Sequence, residues 1–132
     1  MTPPPQNPHS NRQSEIFFLL RTLKPGGRAQ VEVPISTSDG VKGCDVTWAT
    51  PERYDRIYDQ RAHTGAPEIC VEVLSPSNTP EEMVDKKTLY FAAGASEVWL
   101  CRSDGRMQFY LSADGPAAKR SQLCSEFPDK IE

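Results

Sequence analysis

The chain has 132 residues, a formal net charge of −3 and a hydrophobic content of 37%. This length fits one domain with a modest core. The acidic balance argues against a tight, nonspecific nucleic-acid binder, although a local basic groove is compatible with it. No stretch is long and apolar enough to span a membrane, and residues 1–10 lack the apolar region of a signal peptide. None of the four cysteines belongs to a C-x-x-C pair, so we expect no zinc site and a reducing, cytoplasmic setting.

The chain begins with a Pro-rich, polar stretch that predicts a disordered tail over residues 1–12, before a single domain at residues 13–112. Apolar residues at helical spacing predict a first helix from Gln13 to Leu23. Phe17 and Phe18 widen its apolar face beyond a one-sided stripe, which indicates heavy burial or a partner. We therefore expect a two-fold dimer.

A hairpin follows this helix. Alternating apolar residues predict one strand from Arg28 to Ile35 and a second from Val41 to Thr50, joined by an Asp-Gly turn. Simple alternation divides the second strand into two faces, one with Cys44, Val46 and Trp48 and the other with Asp45 and Thr47. Residues 51–66 are charged and ambiguous. They fit a short helix around Arg53–Asp59 and then a polar loop, where His63 is better read as solvated than as a general base.

The most informative stretch is an apolar run with a carboxylate in its middle. Ile69–Leu74 predicts a strand covered on both faces, and Glu72 interrupts it. An ionised carboxylate in such a strand is costly unless a cation, a metal ion or several donors meet it. The groups that face Glu72 therefore decide what this stretch does.

A capped helix comes next. The Thr79-x-x-Glu82 capping box and a stop at Gly94 predict a helix that ends near Ala93. Lys86 lies beside the stripe of this helix that should pack on the sheet. Its side chain either extends outward into solvent or reaches the carboxylate of the preceding strand.

Two further strands are predicted at Glu97–Cys101 and Met107–Leu111, with Trp99 and Tyr110 as core residues, whereas residues 113–132 form a C-terminal extension without a clear pattern. The order of elements is then α-β-β-β-α-β-β. This order predicts an α/β protein of the α+β kind, with a mixed sheet flanked by helices. The helical connection between the third and fourth strands indicates that these two strands are parallel.

Two strand carboxylates, Asp45 and Glu72, stand out as candidate ligands. If their strands are neighbours, both could project from the same face, where they would repel each other. A divalent cation would resolve this repulsion, and ligation by oxygen alone favours magnesium or manganese. A lysine beside such a site could stabilise charge that develops on a phosphate.

Four motifs follow one another along the chain: Cys44-Asp45-Val46, Glu72-Val73-Leu74-Ser75-Pro76-Ser77, the segment from Lys86 to Tyr90, and Gly94-Ala95-Ser96-Glu97-Val98-Trp99. Together they resemble the Uma-two family of restriction-endonuclease-like proteins in the PD-(D/E)XK nuclease superfamily. That family carries Pro-Asp, Glu-Val-Leu-Ser-Pro-Ser, Lys-x-x-x-Tyr and Gly-x-x-Glu-x-Trp in the same order. The resemblance extends over residues 28–110 and implies an αβββαβ core.

The resemblance implies a Mg²⁺- or Mn²⁺-dependent endonuclease that hydrolyses phosphodiester bonds in DNA. Asp45 and Glu72 would bind the catalytic metal. The superfamily lysine normally follows the glutamate by two positions, where this chain has Leu74, and Lys86 on the helix would take its place. Glu15 on the first helix would be a further, weaker acidic candidate.

A non-catalytic module that keeps the nuclease fold for protein interaction or dimerisation is the alternative. It is favoured by the low basicity and by the expectation, from this sequence, that the N-terminal hairpin with which family members usually begin is missing. Cys44 also replaces the motif proline. Taken singly, Asp45 could be a solvated residue at a strand edge, Glu72 the partner of a structural Lys or Arg, and Lys86 a surface lysine. Convergence of the three side chains would favour the nuclease.

Overall fold

A computed structural model describes residues 8–58 and 65–132. In these ranges three helices accompany a six-stranded mixed sheet, which confirms the predicted α+β class. The helices are α1 (Pro8–Leu23), α2 (Pro51–Ile57) and α3 (Pro80–Ala92). The strands are β1 (Arg28–Thr37), β2 (Gly40–Ala49), β3 (Ile69–Val73), β4 (Glu97–Cys101), β5 (Met107–Tyr110) and β6 (Ala117–Ala118).

The strands lie in the sheet in their order along the chain, from β1 to β6. Neighbouring strands are antiparallel except β3 and β4, which are parallel and joined through α3, as predicted. This crossover carries the chain from the end of β3 back to the start of β4. It places α3 against the sheet beside the end of β3, where Glu72 lies.

The first helix begins at Pro8, five residues earlier than its predicted start at Gln13. Proline is well tolerated in the first turn of a helix, because the missing N–H has no partner there. Residues 8–12 are therefore helical, which corrects part of the predicted tail. The rest of that tail, residues 1–7, lies outside the described residues, as do Asp59 and the loop residue His63.

Side chains cover both faces of the sheet, so every residue of β3 is buried, as its apolar run predicts. One layer lies between the sheet and α1, and the other lies between the sheet and α3. The α1 layer includes Ile16, Leu20, Val46, Trp48, Val71, Trp99 and Phe109. The α3 layer includes Ile35, Cys44, Cys70, Met83, Tyr90 and Val98. Trp99 is a core residue as predicted, and Tyr110 is half-buried against the α3 layer.

The predicted sharing of one face by Cys44, Val46 and Trp48 is wrong. Cys44 packs in the α3 layer, whereas the other two pack in the α1 layer. The change of face falls at Asp45, which is not paired with Glu32 although the pairs on both sides are formed. Glu32 has a φ of 54°, a left-handed conformation that regular strands do not contain. This local distortion is why strict alternation fails here.

The C-terminal segment is tied to the core through Glu97, a residue of the Gly-x-x-Glu-x-Trp motif. Glu97 is buried and accepts hydrogen bonds from the Trp99 indole at 2.8 Å and the Ser121 hydroxyl at 2.6 Å. Two backbone N–H groups, of Gln122 and Leu123, donate to its other oxygen. Glu97 is thus a structural anchor. Residues 113–132, which carry no recognisable pattern, complete the α1 layer with Cys124, Phe127 and Ile131.

Candidate active site

Asp45 lies where the pairing between β2 and β3 ends. The last pair of that ladder on this side is Val46 with Val71. One step further, Oδ2 of Asp45 accepts the backbone N–H of Val73 at 2.7 Å. A side-chain oxygen thereby takes the place of the next backbone acceptor between β2 and β3. This hydrogen bond holds the Asp45 carboxylate beside Glu72. The sequence identifies Asp45 as a carboxylate within a strand, but the unformed pair between β1 and β2 sets its position.

Glu72 is 3% exposed, and its two carboxylate oxygens face different donors. The Tyr90 hydroxyl donates to Oε1 at 2.7 Å, and Nζ of Lys86 lies 3.4 Å from Oε2. Burial, reinforced by the negative charge of Asp45, raises the pKa of Glu72 to about 7, against the lowering effects of Lys86 and Tyr90. Burial also raises the pKa of Tyr90, which therefore stays protonated and acts as a donor. Lys86 and Tyr90 thus only partly offset the effect of burial on ionised Glu72.

Lys86 reaches inward from α3 rather than extending outward into solvent. Its Nζ lies 3.3 Å from the carbonyl oxygen of Gly43 as well as 3.4 Å from Glu72, and the side chain is 30% exposed. These distances are long for hydrogen bonds, so the contact with Glu72 is an ion pair with room for adjustment. The next lysine, Lys87, instead places Nζ 4.2 Å from the centre of the Tyr110 ring. The side chains of Asp45, Glu72 and Lys86 therefore lie in one region of the structure, where β2, β3 and α3 meet.

Two residues of α1 also reach the site, and sequence reasoning missed both. Nε2 of His9 lies 3.3 Å from Oδ2 of Asp45, and the Gln13 amide donates to the Asp45 carbonyl at 2.9 Å. Their i, i+4 spacing puts them on one side of the helix. This spacing indicates a shared helix face only when the helix begins at Pro8, because the helix predicted from Gln13 does not include His9. Glu15, the acidic candidate on this helix, is exposed and lines a groove with the C-terminal residues instead.

The donor set fits a hard divalent cation with an open coordination sphere. Mg²⁺ is commonly held by one or two carboxylates and retains several waters or substrate oxygens. Within the described ranges, Oδ1 of Asp45 accepts no hydrogen bond, and Lys86 can move away from Glu72 into solvent. In the same part of the chain, no group of three or more His, Cys, Asp or Glu side chains is arranged to hold a metal ion by itself. A closed, all-protein metal cage is therefore not what these residues form.

Comparison with known proteins gives a similar fold and a family for this chain. The fold is similar to that of a protein from Anabaena variabilis described as "a putative nuclease belonging to DUF820", with a TM-score of 0.70 and 20% sequence identity. The match covers 89% of this chain and 69% of that one, and at this identity it shows the fold. Among proteins with curated descriptions, none matches significantly. The profile of the Uma2 family, described as "Putative restriction endonuclease", matches residues 1–130. The chain therefore belongs to the Uma2 (Uma-two) family, and this membership supports a nuclease function.

Proposed function

We propose that this protein is a divalent-metal-dependent endonuclease that hydrolyses phosphodiester bonds in DNA. The observation that carries the proposal is the convergence of two carboxylates and one ammonium group, from β2, β3 and α3, at a partly exposed position. The raised pKa of Glu72 supports it, because burial and the charge of Asp45 disfavour the ionised carboxylate and a bound metal ion would offset both effects. Restriction-endonuclease-like families generally use divalent metals, which agrees with this donor set.

Each residue then has a distinct task. Asp45 and Glu72 would hold Mg²⁺ or Mn²⁺, which would supply an activated water and neutralise phosphate charge. Lys86 does not ligate such an ion, and it stabilises the negative charge that develops on the phosphate. Tyr90 orients Glu72 through the 2.7 Å hydrogen bond to Oε1. The Val73 N–H fixes one oxygen of Asp45 and leaves the other available.

Thermal melts test the metal site without knowledge of the substrate. Manganese should raise the melting temperature of the parent protein, because binding to the native state alone adds RT ln(1 + [L]/Kd), about 2.7 kcal/mol at a hundredfold excess over Kd. Asp45→Asn and Glu72→Gln should show little or no such shift. Asp114→Asn, at a site in the C-terminal segment, is the matched control and should respond as the parent does. An equal manganese-induced rise in melting temperature in all four proteins, or no rise in the parent, would contradict a metal site at Asp45 and Glu72.

The non-catalytic module remains the alternative, and specific observations favour it. Lys86 already provides Glu72 with a counter-charge, as in a structural ion pair. The net charge of −3 also provides little general attraction for DNA. The melts separate the two functions, since a purely structural pair gives no manganese response. A metal-bound protein that never cleaves plasmid or short duplex DNA would favour the module over the enzyme.

The proposal includes a two-fold dimer in a reducing, cytoplasmic compartment. The four cysteines are all free and buried, which suits reducing conditions. No described helix has the length and hydropathy needed to cross a membrane. Phe17 packs against the α1 layer, whereas Phe18 is 62% exposed.

Phe18→Asp should therefore convert the dimer to a monomer, because a charge in the centre of an apolar contact is not compensated. Val84→Asp is the control, since Val84 is 55% exposed on another helix, α3. Sedimentation velocity at micromolar concentration measures both. A parent protein that is monomeric at that concentration contradicts the dimer.

A further inference from the structure

The hairpin of β1 and β2 contains one defect, and it lies at the candidate active site. The antiparallel register runs without a shift from Arg28↔Ala49 to Thr37↔Gly40, but the pair between Glu32 and Asp45 is not formed. Glu32 is also the one non-glycine residue with positive φ, at 54°, within the described part of the chain. The Cβ atom of any residue other than glycine makes this left-handed conformation unfavourable. We therefore expect another contact to stabilise this conformation of Glu32, because a regular pair with Asp45 would otherwise form.

The side-chain amide of Gln13 contacts both residues of this unformed pair. Its Nε2 donates to Oε1 of Glu32 at 2.7 Å and to the backbone carbonyl of Asp45 at 2.9 Å. One side-chain NH₂ group therefore binds both residues of the missing pair. These two hydrogen bonds tie the backbone of Asp45 to α1 and hold the Glu32 side chain toward the same helix. The distortion is stabilised by a contact from outside the sheet.

The distortion has a direct effect on Asp45. Cys44 and Val46 pack on opposite faces of the sheet, so the strand changes face at Asp45. The carboxylate consequently enters the plane between β2 and β3, where Oδ2 accepts the Val73 N–H at 2.7 Å. In a regular strand Asp45 would alternate with its neighbours and stand perpendicular to the sheet. It would then have no route to that N–H.

We infer that Gln13 is a positioning residue, which directs the Asp45 carboxylate toward Glu72 by bridging Asp45 and the left-handed Glu32. His9 contacts the carboxylate itself, whereas Gln13 contacts the backbone of Asp45 and so sets the path of the strand. The importance of this arrangement for metal binding and cleavage rests on the proposed function. The position of Asp45 itself can be measured whether or not the protein binds metal or cleaves DNA.

The first measurement is amide hydrogen exchange of the metal-free protein by NMR. Gln13→Met keeps the length of the side chain and removes both donors. We expect the Val73 amide to exchange on the order of tenfold faster in this variant, while the amide of Val71 in the same strand is unchanged. Gln30→Met, the same substitution on β1 at a residue without a side-chain hydrogen bond in the described ranges, should leave both amides as in the parent. Unchanged exchange at Val73, or equal acceleration at both amides, overturns the inference.

A pair of double variants tests the role of the left-handed residue. Glycine adopts positive φ without steric cost, whereas alanine does not. Adding Glu32→Gly to Gln13→Met should therefore restore much of the Val73 protection, and adding Glu32→Ala should not. Both second substitutions remove the same carboxylate, so a difference between them reports the backbone conformation. Identical behaviour of the two double variants overturns the inference.

Manganese affinity, measured by calorimetry, connects the arrangement to the proposed site. Displacing a ligand through its supporting contacts typically weakens metal affinity by about 10- to 100-fold. We expect a loss in that range for Gln13→Met and none for Gln30→Met. If the parent binds manganese and Gln13→Met binds it equally well, the positioning role fails while the proposed function stands. If the parent does not bind manganese, the proposed function fails, and the exchange of Val73 still decides whether Gln13 positions Asp45.

Discussion

Lys86→Ala should lower the rate of metal-dependent DNA cleavage by about 100-fold or more, which is the typical effect of removing one group that stabilises transition-state charge. The Lys86 ammonium lies 3.4 Å from Glu72, close enough to act on a phosphate held by the same site. Because a lysine does not ligate magnesium or manganese, metal affinity should not fall. It should stay the same or rise slightly, since the ion no longer competes with the ammonium for Glu72. Single-turnover cleavage and manganese calorimetry on one preparation measure both quantities.

The neighbouring lysine provides the control for this variant. Lys87 has the same chemistry and lies on the same helix, but its ammonium rests on the Tyr110 ring. Lys87→Ala should therefore cleave DNA at a rate close to that of the parent. If Lys87→Ala loses activity and Lys86→Ala keeps it, the assignment of the catalytic lysine is wrong. Equal losses would indicate a general effect of helix charge on DNA binding rather than a role at the reacting phosphate.

The parts of the site that follow from local patterns were predictable from the sequence. Glu72 is conspicuous because it interrupts an apolar strand, and the capping box at Thr79 fixes the register of α3 so that Lys86 and Tyr90 face the sheet. Both inferences depend on residues close together in the chain. The parallel pairing of β3 and β4 likewise follows from the length of the connection between them.

The remaining parts depend on contacts between distant residues, which no local pattern encodes. Alternation places Cys44 with Val46, and it fails because a glutamate adopts a left-handed conformation supported by Gln13, 32 residues before Asp45. The partners of Glu97 in the C-terminal segment lie 24 to 26 residues further along. That segment has neither helical nor strand periodicity, so its burial could not be predicted.

The free energy of unfolding of the metal-free protein should depend on pH through Glu72, and Glu72→Gln should remove this dependence. Burial and Asp45 raise the pKa of Glu72 from its ordinary value of 4.5 to about 7 in the folded state. The folded protein therefore binds this proton more tightly than the unfolded chain does. The stabilisation is complete below pH 4.5 and is lost as the pH rises through about 7. A shift of this size corresponds to about 3 kcal/mol.

Comparison of the parent with Glu72→Gln isolates this contribution, because all other titrating groups are common to both proteins. Near pH 4.5 the two free energies of unfolding should be similar, since the protonated acid resembles the amide. At pH 8 the glutamine variant should be more stable by about 3 kcal/mol. Denaturant unfolding in the presence of a chelator, at several pH values, measures the difference.

The opposite sign is expected if Glu72 is mainly the partner of Lys86. Removing one member of a buried ion pair typically costs about 3–5 kcal/mol, because the other charge is left without a partner. Here the Lys86 side chain is 30% exposed and can return its ammonium to water, so we expect no such cost. A glutamine variant that is markedly less stable than the parent at pH 8 would therefore show that the ion pair dominates. That result would also contradict the electrostatic repulsion between Asp45 and Glu72, which supports the proposed metal site.

Manganese provides the complementary result. A metal ion bound by Asp45 and Glu72 would favour the ionised form of Glu72, so it should raise the stability of the parent most at pH 8.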